Sequence, residues 1–306
     1  MPINITSPWV GRSLFLTCLV AMAVILGVSA WLVTTRSEQR LTEQQFHVLA
    51  TQALGEFTSY VERKRWSLVA MSSMVAELQP DPEQWPFVFI PNFEVIVTQL
   101  LLSTSGNDMV FAPFVPPEQR QEWLDFAYTY YNTTREPEPF PPGTAVSPFG
   151  IWGTQNGTKF ASTNGTFPKT NSPYTFLAPI FHLNEGINRA MLYDHRTEER
   201  RRRAIDGMVS CAETSPGKNC TGLSEIVTLL KYESDGPASI IYQYVQPRGA
   251  SSPKGMVVSP LVWIDVMRDG LALSQVHGMN VVLTERSQIG DCHFTYSIVD
   301  GKPVYQ

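Results

Sequence analysis

Most of the motifs that announce an enzyme are missing from this chain of 306 residues. It has no phosphate loop, no glycine-rich dinucleotide turn, no Gly-x-Ser-x-Gly elbow and no His-Glu-x-x-His helix. Its five histidines, His47, His182, His195, His277 and His293, are scattered without metal-ligand spacing. Cys292 and His293 are adjacent, but neighbours on a strand point to opposite faces. Asp265 and Asp269 share a helical face with Arg268 beside them, which reads as a surface ion pair. No catalytic residue, metal site or cofactor is therefore expected, and a binding module is favoured over an enzyme. Charge is scarce too, at 17% of residues with a net charge of −5, and this overall balance does not supply the basic face a nucleic-acid partner needs.

What is present begins with Ser13 to Thr34, a stretch of 22 residues without a charge. At ~1.5 Å per helical residue it is about 33 Å long, enough for a bilayer core. An uncleaved anchor is the favoured reading. A signal peptide is the alternative, because Val28-Ser29-Ala30 fits a small-residue cleavage pattern. Four sequons follow the apolar run, at Asn132, Asn156, Asn164 and Asn219, and favour an extracytosolic face for everything after about residue 35. Asn4 opens a fifth, which this topology leaves in the cytosol. Cysteine usage agrees with an oxidising compartment. Cys211 and Cys220 bracket a short loop with a Pro-Gly turn and are expected to form a disulfide. Cys18 lies inside the apolar run, which leaves Cys292 odd: a free thiol, or one with a partner beyond Gln306.

Ser37 to Leu78 contains no proline and a single glycine, Gly55, and reads as one long helix. Its apolar residues include Phe46, Phe57 and Leu68 at a spacing of 11, with Lys64 interrupting the stripe. Prolines from Pro80 onward end it. Asn92 caps a helix over Phe93–Ser103, a strand follows at Met109–Val115, and Pro117 opens another helix. Arg135 to Pro173 reads as loop around short strands such as Gly150–Gly153, and Tyr174–Leu183 as a strand. Ile187–Val209 reads as a helix, polar on one face, carrying the run Arg196-Thr197-Glu198-Glu199-Arg200-Arg201-Arg202-Arg203. That run is foremost a solvated helix face, with a basic processing site or a nucleic-acid patch as lesser readings. Strands at Ser239–Gln246, Gly255–Leu261, Met279–Glu285 and Phe294–Val299 complete a PAS-like α+β pattern. Asp300 to Pro303 reads as a turn and Val304 to Gln306 begins a further strand, an unfinished hairpin from which the chain is expected to continue.

Four segments in a constant order carry a resemblance: WPFVFIPNFEV, GNDMVFAPFVPPEQRQEWLDFA, GMVVSPLVWIDVMRDGL and HGMNVVLTERSQIGDCHFTYSIVDG. Together they resemble the extracytosolic, CHASE-like sensor region of microalgal receptor-type guanylate or adenylate cyclases, over about Arg36 to Gln306. The resemblance implies a transmembrane helix running into a long stalk helix, then two PAS-like antiparallel α+β units. It divides the chain into a cytosolic start (1–12), an anchor (13–34), a stalk (35–79), a membrane-distal unit (80–186), a helical linker with the disulfide loop (187–222) and a membrane-proximal unit (223–306). It also implies a second membrane helix and a cytosolic cyclase, neither of which is in these residues. A small extracellular ligand is expected in the distal unit, with Phe111, Trp152, Tyr174 and Phe176 as candidate contacts, each of which also reads as ordinary core. The expected partner is a second copy, paired through the stalk. The alternative is a membrane-tethered or secreted recognition or adhesion glycoprotein without signalling output.

Overall fold

The computed structural model describes residues 8–104, 108–134, 150–155, 158–163, 172–183, 190–215, 217–227, 229, 237–270, 280–287, 290–299 and 302–305. The chain divides into two compact units, Met1–Gly55 and Glu56–Gln306. One helix, α1 (Pro8–Leu78), contributes to both, as the absence of interior proline leads one to expect. In the first unit α1 exposes Leu14, Phe15, Val20, Ile25, Leu26 and Trp31. This part is long and apolar enough to cross a membrane.

In the second unit the same helix changes character. Tyr60, Lys64, Leu68, Met71 and Val75 are buried at helical spacing, so one stripe faces the core and the rest faces out. Fully burying each of the apolar members contributes about 1.5–3 kcal/mol. Lys64, which breaks the apolar pattern, donates from Nζ to the Pro260 carbonyl, so a cationic head buried in the stripe has an acceptor.

The sheet packed on this helix has five antiparallel strands. In chain order they are β1 (Val110–Pro113), β4 (His182–Leu183), β5 (Thr221–Leu223), β6 (Ala238–Val245) and β7 (Gly255–Val262). Across the sheet they run β4-β1-β7-β6-β5. Counted along the chain, that is second, first, fifth, fourth, third. The longest register joins β6 to β7 from Ala238↔Val262 to Val245↔Gly255. One face carries Phe111, with Trp85 edge-on at 5.8 Å. Gly255 lets that indole approach, since a Cβ there would lie 2.8 Å from it. His182, opposite Phe111 in the register, stacks on Phe93 at the start of α2 (Phe93–Thr104). Next to it, α3 (Arg120–Thr134) sends the Trp123 indole N–H to the Pro86 carbonyl at 3.1 Å. The opposite face carries Tyr242 and is covered by α4 (Glu199–Thr214), joined to β5 by the Cys211–Cys220 disulfide. Gly222 permits that cover, because a Cβ there would sit 2.6 Å from the Ala204 carbonyl oxygen.

A two-stranded antiparallel pair of β2 (Trp152–Gln155) and β3 (Thr158–Ala161) lies between α3 and β4 in the chain. After β7 comes α5 (Trp263–Gly270), then a separate antiparallel sheet of β8 (Asn280–Ser287), β9 (Gly290–Val299) and β10 (Lys302–Tyr305). Tyr296 and Ile298 of β9 are buried.

Mixed helix and antiparallel sheet is thus as expected, but the boundaries differ. The expected units 80–186 and 223–306 share one sheet, because β7 pairs with β1 from Val110↔Val258 to Pro113↔Gly255. A break inside 187–222 is not where the strand pairing divides. The expected strand over Tyr174–Leu183 reduces to His182–Leu183 plus single bridges at Leu177 and Pro179. The expected helix from Ile187 starts only at Glu199, since Asp194 caps a short 3₁₀ turn ahead of it. Its first residues, 187–189, lie outside the described residues.

Candidate functional site

Residues 190–197 lead into α4 and bring His195 against Tyr242, and backbone bonds fix them there. Trp152 N–H donates to the Leu192 carbonyl at 3.1 Å, and Asp194 N–H to the Trp152 carbonyl at 2.8 Å. On the other edge Ile180 N–H donates to the Tyr193 carbonyl, and His195 N–H to the Ala178 carbonyl. A segment held this way alternates its side chains, so Tyr193 and His195 share one side with Asp194 between them. Thr197 follows so close to β2 that only glycine fits at Gly153, where a Cβ would meet its side chain at 2.4–2.5 Å.

Asp194 and Arg196 are the structural half of this segment, and both are wholly buried. The Asp194 carboxylate accepts from Ser162 Oγ at 2.6 Å, Ala178 N–H at 3.0 Å and Arg196 N–H at 3.1 Å. Burial still holds its pKa above the usual carboxylate value, opposed by those three donors and by the Arg196 charge. The Arg196 guanidinium donates to the carbonyls of Phe176 and Tyr174, to Ser172 Oγ and to Asp206 at 2.9 Å, and lies 4.2 Å from the Phe176 ring centre.

The other half is different. His195, Arg201 and Tyr242 are 3%, 7% and 0% exposed, and at that depth polar atoms normally have partners. Among the described residues neither ring nitrogen of His195 has a hydrogen-bond partner, nor does the Tyr242 hydroxyl, nor Nε of Arg201. The three groups adjoin one another. The imidazole lies edge-on between Tyr193 at 5.9 Å and Tyr242 at 5.7 Å. The Arg201 guanidinium sits 5.0 Å from the Tyr193 ring centre. Its Nε is 2.6 Å from a Glu198 carboxylate oxygen. The N–H is not aligned with that oxygen, so the contact is an ion pair without a formed hydrogen bond.

Burial and the nearby Arg201 charge hold the His195 pKa well below its ordinary value, so the imidazole is neutral at pH 7, with one donor and one acceptor. Burial pushes the Tyr242 phenol up, opposed by Arg201, so its proton is available to donate. Burial lowers the Arg201 pKa, but Tyr193, Glu198 and Tyr242 outweigh it and the guanidinium stays charged. The cluster therefore holds a phenol O–H, an imidazole N–H and a guanidinium N–H that make no hydrogen bond among the described residues. Among the described residues no group of His, Cys, Asp or Glu has the arrangement of a metal site.

The four candidate contacts do not meet in one place. Trp152 alone adjoins the orphaned cluster, edge-on to Tyr193 at 5.0 Å, with its indole N–H donating to the Met191 carbonyl. Phe111 lies on the opposite face of the sheet, against Trp85. Phe176 stacks on Phe114 at 4.0 Å and under Arg196. Tyr174 bonds Glu213 at 2.8 Å, and burial followed by that hydrogen bond pushes its pKa up to about 12. The arginine run is not the solvated face expected of it. Arg201 and Arg202 are buried, while Arg200 and Arg203 pair with Glu225. Helical rotation of ~100° per residue sends neighbours to different sides, so no continuous basic patch or extended cleavage segment forms.

The disulfide Cys211–Cys220 is present, and Asn219 beside it is exposed. Asn156, Asn164 and the side chains of Asn132 and Cys292 lie outside the described residues. Asp265 and Arg268 form the expected ion pair. Neither a known family model nor a curated protein matches the chain.

Proposed function

We propose that this chain is the extracytosolic ligand-sensing region of a membrane receptor, PAS-like and CHASE-like in fold. In the longer protein it is coupled to a cytosolic guanylate or adenylate cyclase. The observation that carries the reading is the strand order second-first-fifth-fourth-third, the order of a PAS sheet, in the unit entered by the helix that begins in the apolar span. The polar cluster beside α4, whose buried donors lack hydrogen bonds among the described residues, supports it, since a sensor requires a site whose occupancy changes packing. Signalling then requires a ligand that favours one arrangement of the sensor over another, and a second copy paired through α1 provides the reference against which a helix shift is read.

Sequencing the full-length transcript tests this directly. An in-frame apolar span followed by a cyclase domain downstream of Gln306 is the expected result. A stop codon at that point in every transcript sinks the receptor reading and leaves a membrane-tethered recognition glycoprotein.

A further inference from the structure

We propose that the His195–Arg201–Tyr242 cluster binds a small carboxylate, and that Glu198 holds the place of that carboxylate until the ligand arrives. The proposal rests on the sensor reading above and names the ligand class for it. Three features point to an anion. The groups without a hydrogen bond among the described residues can donate: the Tyr242 hydroxyl, the N–H of a neutral His195 and Nε–H of a charged Arg201, which has only its ion pair with Glu198. A buried guanidinium requires a carboxylate or its equivalent, since an unpaired buried charge is strongly destabilising. The carboxylate that now meets it does so poorly: Glu198 reaches within 2.6 Å but off the N–H direction.

Glu198 is also the member of the pair that is free to leave. Its side chain is 32% exposed against 8% for Arg201. It stands where the 3₁₀ turn meets α4 and makes no capping hydrogen bond. An incoming carboxylate that takes over Arg201 Nε, with Tyr242 and His195 as further donors, forms charge-assisted bonds in a low-dielectric setting while Glu198 moves into water. Arg201 is paired before and after the exchange, so no buried charge is left alone. The remaining imidazole nitrogen, an acceptor, suits a ligand that carries a donor next to its carboxylate, as a hydroxy or amino acid does.

The test uses the full chain in lipid nanodiscs and reads the thermal unfolding midpoint. The probes are acetate and lactate against acetamide and lactamide, at constant ionic strength. Wild type is expected to be stabilised by the two carboxylates and not by their amides. Glu198→Gln is expected to lower the midpoint without probe, to regain it with acetate, and to reduce the half-saturating concentration roughly tenfold, because the internal competitor is gone. Tyr242→Phe keeps the ring and removes only the unpartnered hydroxyl; it is expected to raise the half-saturating concentration roughly tenfold. Equal responses to amides and carboxylates, or an acetate response unchanged in both variants, overturns the proposal. Either result leaves the receptor reading to be judged by the transcript, so the two fail separately.

Discussion

His195 is the residue whose energetics are most exposed to test. A buried neutral imidazole whose nitrogens have no partner among the described residues carries a desolvation cost. Its folded pKa is depressed, so below about pH 6.5 the unfolded chain takes up a proton that the folded chain refuses. Stability from this group is full above the unfolded value and is lost as pH falls from there toward the folded one. The slope is at most about 1.4 kcal/mol per pH unit. Denaturant midpoints at pH 7.5, 6.5 and 5.5 are expected to fall in wild type and to fall less in His195→Phe, which keeps a ring between the two tyrosines. Equal slopes would exclude His195 as the cause. Asp194 makes a contrasting case, because its three donors are all in place. Asp194→Ala is expected to cost at least about 1–3 kcal/mol in chemical denaturation, since it leaves those buried donors without their acceptor.

At the scale of elements, the cover over the Tyr242 face depends on a close approach and a covalent tie. Gly222→Ala places a methyl group against the Ala204 carbonyl, which must move together with α4. A loss of about 1–3 kcal/mol is expected, along with weaker protection of α4 amides in hydrogen exchange. The Cys211–Cys220 bridge closes a loop of sequence separation 9 between α4 and β5. On the chain-entropy account, the Cys211→Ser/Cys220→Ser double variant is expected to lose about 2–3 kcal/mol, read from denaturation under oxidising conditions. These elements were legible to different degrees. The long helix, β6 and β7 follow from proline-free and alternating stretches, and the disulfide from two cysteines around a Pro-Gly turn. Residues 190–197 read as helix in the sequence because they belong to one stretch, Ile187–Val209, that is polar on one face and holds the arginine run. Their conformation comes instead from backbone bonds to Trp152, Ala178 and Ile180, residues distant in the chain.

For the whole molecule, the orientation of the second unit across a membrane is the property to measure. If Glu56–Gln306 is extracytosolic, the exposed Asn219 is a glycan acceptor. Expression in a eukaryotic secretory system is expected to give a product whose mobility shifts on glycosidase treatment, with one step missing in Asn219→Gln. An unchanged mobility in wild type would place that unit on the other side. The apolar run, the α+β class, the strands of the final third and the cysteine pairing were determined by the sequence itself, because each depends on neighbours within a few turns or one loop. The joining of β1 to β7 and the meeting of His195 with Tyr242 were decided only by the tertiary structure. No local periodicity encodes which strand pairs with which, or which polar side chains are buried without partners. Those outcomes depend on how distant segments fill one another's surfaces, and the candidate binding site is made of such outcomes.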